Sequence, residues 1–264
     1  MRLAQTDIDH ATALAHALAD AAGAAIRPYF RAEHGLETKG DASPVTLADR
    51  AAEAAMRQLI ERRFPTDAII GEEYGTKPGT SGRAWVLDPI DGTRAFIAGR
   101  PIFGTLIALV VEGWPVLGVI DQPILKERWL GVVGQPTLMN GAPARTRLIK
   151  SLDEALLATT SPALFDDGQL HAFEHLDAAV RSTVLGGDCY NYACLASGHL
   201  DIVVEAGLKL HDFAALVPVV EGAGGRMCDW VGDPLTADSA GDVIAAGEPA
   251  RIDDIVEALA CHGH

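Results

Sequence analysis

Apolar residues at Ile8, Leu14, Leu18, Ile26 and Phe30 recur at helical spacing through an alanine-rich stretch, so the pattern predicts an amphipathic helix over residues 7–33. A polar run, GLETKGDASP, leads into a second helix, TLADRAAEAAMRQLIERRF, which Pro65 stops. The period then shortens. AIIGEE and RAWVLDP read as short buried strands separated by a loop rich in glycine, proline, serine and threonine, YGTKPGTSG. GTLIALVVEGWPVLGVI reads as a β-hairpin turning at EGWP; Glu112 and Pro115 interrupt it too much for a membrane span. RWLGVVG adds a further strand.

After about residue 150 strands and helices alternate. ALLATTSP, STVLGGD, LDIVVEAG and DVIAAG have strand character. GQLHAFEHLDAAV, YNYACLASG, DFAALVPVVEGAG and ARIDDIVEALA have helical character. This alternation predicts an α/β layer. No linker or low-complexity segment divides the chain, and no internal repeat is found. The expected organisation is an α+β N-terminal subdomain over residues 1–145 and an α/β C-terminal subdomain over residues 146–264, sharing one compact body.

Composition narrows the partners. Hydrophobic residues make up 48% of the 264 residues and charged residues 22%, as in ordinary soluble globular proteins. The formal net charge of -15 argues against nucleic acid or an anionic membrane as partner. An anionic substrate remains compatible with that charge if cations are supplied locally. Cys189, Cys194, Cys228 and Cys261 form no CxxC pair, which fits reduced thiols in a cytoplasmic protein. The first thirty residues carry Asp7, Asp9 and Asp20 and lack the pattern of a signal peptide.

The candidate chemistry lies in carboxylates at the ends of elements: Asp49 in SPVTLADRAAE, Glu72 and Glu73 in IIGEE, Asp88 and Asp91 in LDPIDGT, and Asp212 in LKLHDFAALVPVVEGAGG. Each has a plain structural reading. Asp49 suits the first turn of a helix, Asp212 an N-cap, Glu72 a loop, and DPIDG a turn. Together, carboxylates that follow apolar strands into an interior need a cation between them. Mg²⁺ meets that need, with oxygen ligands at about 2.0–2.1 Å. Two such ions about 3.5–4 Å apart can clamp the entering and leaving oxygens of a phosphoryl transfer. Pro89 restricts the turn, and Ile90 can offer its carbonyl. Gly92 lets an anion approach the main chain, so the amides of Gly92 and Thr93 can hold phosphate. The Thr93 hydroxyl can orient an attacking water, with Asp49 accepting from it.

At these residues the chain resembles the inositol monophosphatase family of Mg²⁺-dependent, lithium-sensitive phosphatases. KGDASPVTLADRAAE, IIGEEYG, WVLDPIDGTRAF and HDFAALVPVVEGAGG stand in family order and at family-like separations over nearly the whole length. The resemblance implies a layered αβαβα sandwich of the inositol monophosphatase / fructose-1,6-bisphosphatase type, usually dimeric. It also implies a first metal on Glu72, Asp88 and the Ile90 carbonyl, and a second on Asp88, Asp91 and Asp212. Glu72 would extend through water to a third ion. Asp49 and Thr93, with Glu72, would serve catalysis, and Gly92 and Thr93 would seat the phosphate. His211 stands where many relatives have tryptophan, a change expected to alter wall packing and leave the metals untouched.

DGTRAF followed by AGRP, where inositol phosphatases commonly read DGTTNF, looks more like the histidinol-phosphate phosphatases of the family, as does LGGDCYNYACLASGHLDIVVEAGLK. Asp188 and Glu205 would then face the leaving-group alcohol, pairing with the ammonium and imidazole of histidinol phosphate. In the plainer alternative Asp188 caps a helix and Glu205 accepts from a polyol. Arg94 either contacts the phosphate or braces acidic neighbours. The activity expected is hydrolysis of L-histidinol phosphate in histidine biosynthesis by in-line attack of a metal-activated water. The alternatives are an inositol-1-phosphate or broad sugar-phosphate phosphatase, and, in another class, a non-catalytic metal-binding regulatory protein. His171 and His175 have a spacing that can bind zinc but suit a solvated helix face. EGAGG suits the end of a helix better than a dinucleotide fingerprint.

Overall fold

The computed structural model describes residues 4–32, 36–38 and 44–260. Cys261 lies outside them, as does part of the polar run before the second helix. Helix α1 spans Gln5–Ile26, buries Leu14, Leu18 and Ile26, and passes into a single 3₁₀ turn over Arg27–Tyr29. The predicted helix over 7–33 is therefore shorter, because Pro28 lacks the amide that a continuing helix needs. Two short strands, β1 (Leu36–Thr38) and β2 (Pro44–Thr46), pair antiparallel and lead into α2 (Leu47–Arg63).

The large sheet is built from β3 (Ala68–Gly71), β4 (Gly75–Lys77), β5 (Arg83–Asp91), β6 (Gly104–Val111), β7 (Trp114–Gln122), β8 (Glu127–Val132), β9 (Leu138–Met139) and β10 (Ala142–Pro143). Between β5 and β6 lies the short helix α3 (Thr93–Ile97). The strand order is β10-β9-β8-β7-β6-β5-β3-β4, antiparallel except where β3 runs parallel to β5. The hairpin turns at Glu112 and Gly113, within the expected EGWP. β4 falls inside a stretch with only loop signals, since a three-residue edge strand leaves no hydrophobic alternation to read.

The second sheet holds β11 (Leu156–Thr159), β12 (Ser182–Leu185), β13 (Ile202–Glu205), β14 (Arg226–Cys228) and β15 (Val243–Ala246), ordered β12-β11-β13-β15-β14. β11 runs parallel to β12 and β13, while β15 is antiparallel to β13 and β14. The helices of this half are α4 (Asp167–Ala179), α5 (Cys189–Ala196), α6 (Leu210–Phe213), α7 (Leu216–Gly222) and α8 (Ile252–Leu259). The single helix expected from Asp212 onward is two helices, α6 and α7, separated by Ala214 and Ala215.

Three apolar cores stack the layers. One joins α1 and α2 to the large sheet through Leu18, Met56, Trp85, Leu87 and Ile107. A second lies between the two sheets, where α5, α6 and α7 contribute Tyr192, Leu195, Phe213 and Val219. The third packs α4 and α8 on the outer face of the second sheet through Phe173, Leu176, Ile244 and Ile255. Burying these side chains, each worth about 1.5–3 kcal/mol, holds the layers together. The result is the five-layer αβαβα sandwich implied by the resemblance. The C-terminal ends of β3, β5 and β13 and the short helix α6 carry the candidate acids.

Candidate active site

β5 carries an apolar run (Trp85, Val86 and Leu87, all essentially buried) straight into Asp88. In a regular strand Asp88 and Asp91, three positions apart, would point to opposite faces. The pairing with β6 prevents that. Asp88 lies opposite Leu106 and Asp91 opposite Gly104, so three steps on β5 match two on β6, and one extra residue is accommodated as a bulge. Pro89 has no amide to lose from the ladder, and its carbonyl accepts from the Thr105 hydroxyl at 2.8 Å. The bulge turns both carboxylates toward one volume. A carboxylate oxygen from each of Asp88, Asp91 and Asp212 lies within 4.8 Å of the others.

The remaining acids come from other layers. Glu72 follows β3, its amide donating to the Leu87 carbonyl of β5 at 3.2 Å. Asp49 sits in the first turn of α2 and is 1% exposed. Asp212 is the third residue of α6 rather than its cap, and its Oδ2 accepts from the Lys209 amide at 2.7 Å. Asp88 records the convergence. Burial, then the charges of Glu72, Asp91, Asp212 and Asp49, hold its carboxyl well above the usual range. Asp91 is raised by burial and by Asp188 and Asp212; Asp212 is raised chiefly by burial, against a lowering from His211.

Such a cluster is unstable without positive charge. The residues fit a hard divalent cation on one further observation: Asp88 is 2% exposed, yet its Oδ1 has no hydrogen-bond partner among the described residues. A buried carboxylate oxygen aimed into a ring of other carboxylates is a ligand position in all but the ion.

The turn after Asp91 borders the cluster. Gly92 has φ +86°, a left-handed conformation natural to glycine, and starts α3. A Cβ there would meet Asp188 at 3.0 Å. The Thr93 hydroxyl donates to the Ile90 carbonyl at 3.0 Å.

Asp188 and Glu205 both border the cleft beside the cluster, with Thr160, Leu164, Tyr192 and Leu208. Asp188 is pushed up to about 6 by burial, with the Arg94 guanidinium pulling down and Asp212 pushing up. Arg94 thus acts on Asp188 through its charge. Glu205, 3% exposed, accepts from the Thr160 amide at 2.7 Å and the Thr160 hydroxyl at 2.8 Å. Burial still pushes it up to about 7.

Sequence reading missed three supports. Glu53, fully buried on α2, accepts from the amides of Glu73 at 2.7 Å and Tyr74 at 3.2 Å, fixing the turn that carries Glu72. A Cβ on Gly71 would lie 2.0 Å from Glu53 Oε1, so only glycine lets α2 come this close. Thr160 and Tyr192 complete the cleft; the buried Tyr192 hydroxyl has no partner among the described residues. A glutamate at a spacing that turns it inward from α2 was the one available signal.

The fold and this acidic centre define a metal-dependent phosphatase, and a match to the Inositol monophosphatase family over residues 7–264 places the chain in that family. The Bifunctional phosphatase IMPL2, chloroplastic, of Arabidopsis thaliana is 47% identical, the match covering 98% of this chain and 78% of that one. The Histidinol-phosphatase of Chlorobaculum parvum is 39% identical over 90% of this chain and 93% of its own. A solved inositol monophosphatase from Zymomonas mobilis superposes with a TM-score of 0.89 at 53% identity, covering 98% of this chain and 100% of the other. No helix among the described residues is long and apolar enough to cross a membrane.

Proposed function

We propose that the protein hydrolyses L-histidinol phosphate to L-histidinol and phosphate, a step of histidine synthesis, with Mg²⁺ as cofactor. The observation that carries the substrate is the pair of carboxyls, Asp188 and Glu205, bordering one small cleft beside the acidic cluster. Histidinol phosphate presents an ammonium group and an imidazole, and charge-assisted hydrogen bonds to carboxylates recognise both. A neutral polyol can donate hydroxyls to these carboxyls but brings no charge to pair with them. Relatives named histidinol-phosphatase, 38–39% identical over 81–90% of this chain, support the same reading.

Glu72, Asp88 and the Ile90 carbonyl would hold one Mg²⁺ and Asp88, Asp91 and Asp212 a second, with Glu72 reaching a third through water. Bound there, the ions supply Lewis acidity to the phosphoryl group and offset charge on the entering and departing oxygens. The chain's own groups do the positioning. The amides of Gly92 and Thr93 seat the phosphate. The Thr93 hydroxyl, turned from Ile90, and Asp49 orient the attacking water and take its proton. Water enters opposite the ester oxygen, the P–O bond breaks, the departing alkoxide takes a proton from solvent, and no covalent phospho-enzyme forms. Arg94 holds Asp188 in place for the substrate ammonium. The subdomains over residues 1–145 and 146–264 meet at this site, in a cytoplasmic homodimer.

An inositol-1-phosphate or broader sugar-phosphate phosphatase is the second reading, favoured by the likeness to the Zymomonas mobilis inositol monophosphatase. Initial rates with Mg²⁺ on histidinol phosphate, inositol-1-phosphate and a set of sugar phosphates decide between them. The expected result is the highest kcat/KM on histidinol phosphate; a higher value on inositol-1-phosphate selects the second reading.

A further inference from the structure

His211 was assigned from sequence to the wall of the site, yet the structure puts its ring among the ligands. One ring nitrogen and one carboxylate oxygen each of Glu72 and Asp88 lie within 4.8 Å of one another. Its Nε2 is 3.4 Å from Asp212 Oδ1, and its side chain is only 14% exposed. Asp88 belongs both to this group and to the group formed with Asp91 and Asp212. The Asp88 Oδ1 atom, buried and without a partner among the described residues, independently marks this volume as a ligand position.

The spacing is within reach of shared coordination. Adjacent corners of an octahedron with bonds of about 2.0–2.1 Å are about 2.9 Å apart, so atoms within 4.8 Å of one another would draw together by up to about 1.9 Å around an ion. The helix that carries His211 is anchored next to it by the bond from the Lys209 amide to Asp212. Tryptophan, the residue many relatives carry here, offers no lone pair to a metal. An imidazole does, and it is a ligand suited to borderline transition metals, whereas Mg²⁺ prefers oxygen.

We propose that His211 supplies a nitrogen ligand to the cation held by Glu72 and Asp88, giving this site a stronger preference for ions such as Mn²⁺ over Mg²⁺ than an all-oxygen site would show. The proposal rests on the metal-dependent phosphatase reading of the cluster but not on the substrate. A competing role for the ring, as an imidazolium paired with Asp212, predicts no metal–nitrogen bond.

The test uses Mn²⁺ added to the whole, metal-stripped protein, followed by electron spin-echo envelope modulation. The expected result is a ¹⁴N modulation from a directly bound imidazole that disappears in His211→Phe, with Mn²⁺ affinity weakened on the order of tenfold and Mg²⁺ affinity changed less. His211→Gln, which keeps a polar side chain, serves if the phenylalanine variant does not fold. Mn²⁺ bound without ¹⁴N modulation, or a modulation that persists in both variants, overturns the proposal while leaving the phosphatase reading intact. A protein that binds no Mn²⁺ at all overturns both. Turnover of histidinol phosphate does not enter the measurement, so failure of the substrate assignment shows separately.

Discussion

The Cys189 amide donates to Asp91 Oδ2 at 2.6 Å, tying the first residue of α5 to the last residue of β5 across 98 positions of sequence. The bond fixes one carboxylate of the acidic cluster from the opposite half of the chain. It also brings Asp188, the residue before Cys189, beside Gly92. One hydrogen bond thus links an element proposed to hold metal to an element proposed to read the substrate.

Because Asp88 is raised by four neighbouring carboxylates as well as by burial, the metal-free fold carries an electrostatic penalty that cations relieve. Mg²⁺ at one hundred times its Kd should add about 2.7 kcal/mol of stability, seen as a higher Tm by calorimetry against an EDTA-treated sample. Asp88→Asn should raise the Tm of the metal-free protein and remove most of the increment. An unchanged increment would show that the ion binds elsewhere.

The two carboxyls proposed to meet the substrate, Asp188 and Glu205, give the metal-free protein a defined pH response. Asp188 is pushed up to about 6 and Glu205 to about 7, from ordinary values of 3.8 and 4.5. The folded chain therefore holds protons that the unfolded chain has released, and stability falls as pH rises from about 4 through about 7. The contribution is complete below that window and absent above it. Urea midpoints in EDTA across this range should show the decline, with a shallower slope in Glu205→Gln.

Substrate binding should respond in the opposite sense. An ammonium partner needs Asp188 and Glu205 ionised, so kcat/KM for histidinol phosphate should fall as pH drops below about 7, from the raised Glu205. Asp188→Asn should raise KM for that ester about tenfold or more, the worth of a charged hydrogen bond, and leave inositol-1-phosphate little changed. Equal losses on both esters would remove Asp188 from substrate recognition.

Glu53 offers a test away from any reacting group. It accepts from Arg57 at 2.7 Å as well as from the Glu73 and Tyr74 amides. Glu53→Ala should free the turn bearing Glu72 and weaken Mg²⁺ binding by about tenfold or more, measurable by titration calorimetry. Glu53→Gln, which can still accept from these amides, should retain more of the affinity.

The sequence made some of this architecture plain and hid the rest for physical reasons. The second helix is legible because Asp49 opens it and Pro65 closes it around buried Ala52, Met56 and Ile60. WVLDPIDGT is legible because an apolar strand ending in paired acids has few bland explanations. By contrast, β4 and β14 have three residues each and β9 and β10 two, too short for any period to register. The split between α6 and α7 is marked only by Pro218, whose missing amide cannot bond back to Ala214 and which sits in the first turn of α7. The roles of Glu53 and Thr160 depend on partners 20 and 45 positions away, and such distances are set by tertiary packing, not by local pattern. His211 was visible as a departure from relatives, but nothing in LKLHDF says that its ring turns toward Glu72 and Asp88.

The bulge between Asp88 and Asp91 makes chain length at this point matter more than composition. Deleting Ile90 would leave every acid in the chain, and both aspartates on one face of a now regular strand, yet it would remove the carbonyl that the Thr93 hydroxyl meets. Variation that preserves the count of residues between the two aspartates keeps that carbonyl in the turn, and loss of one residue withdraws it while sparing the charge.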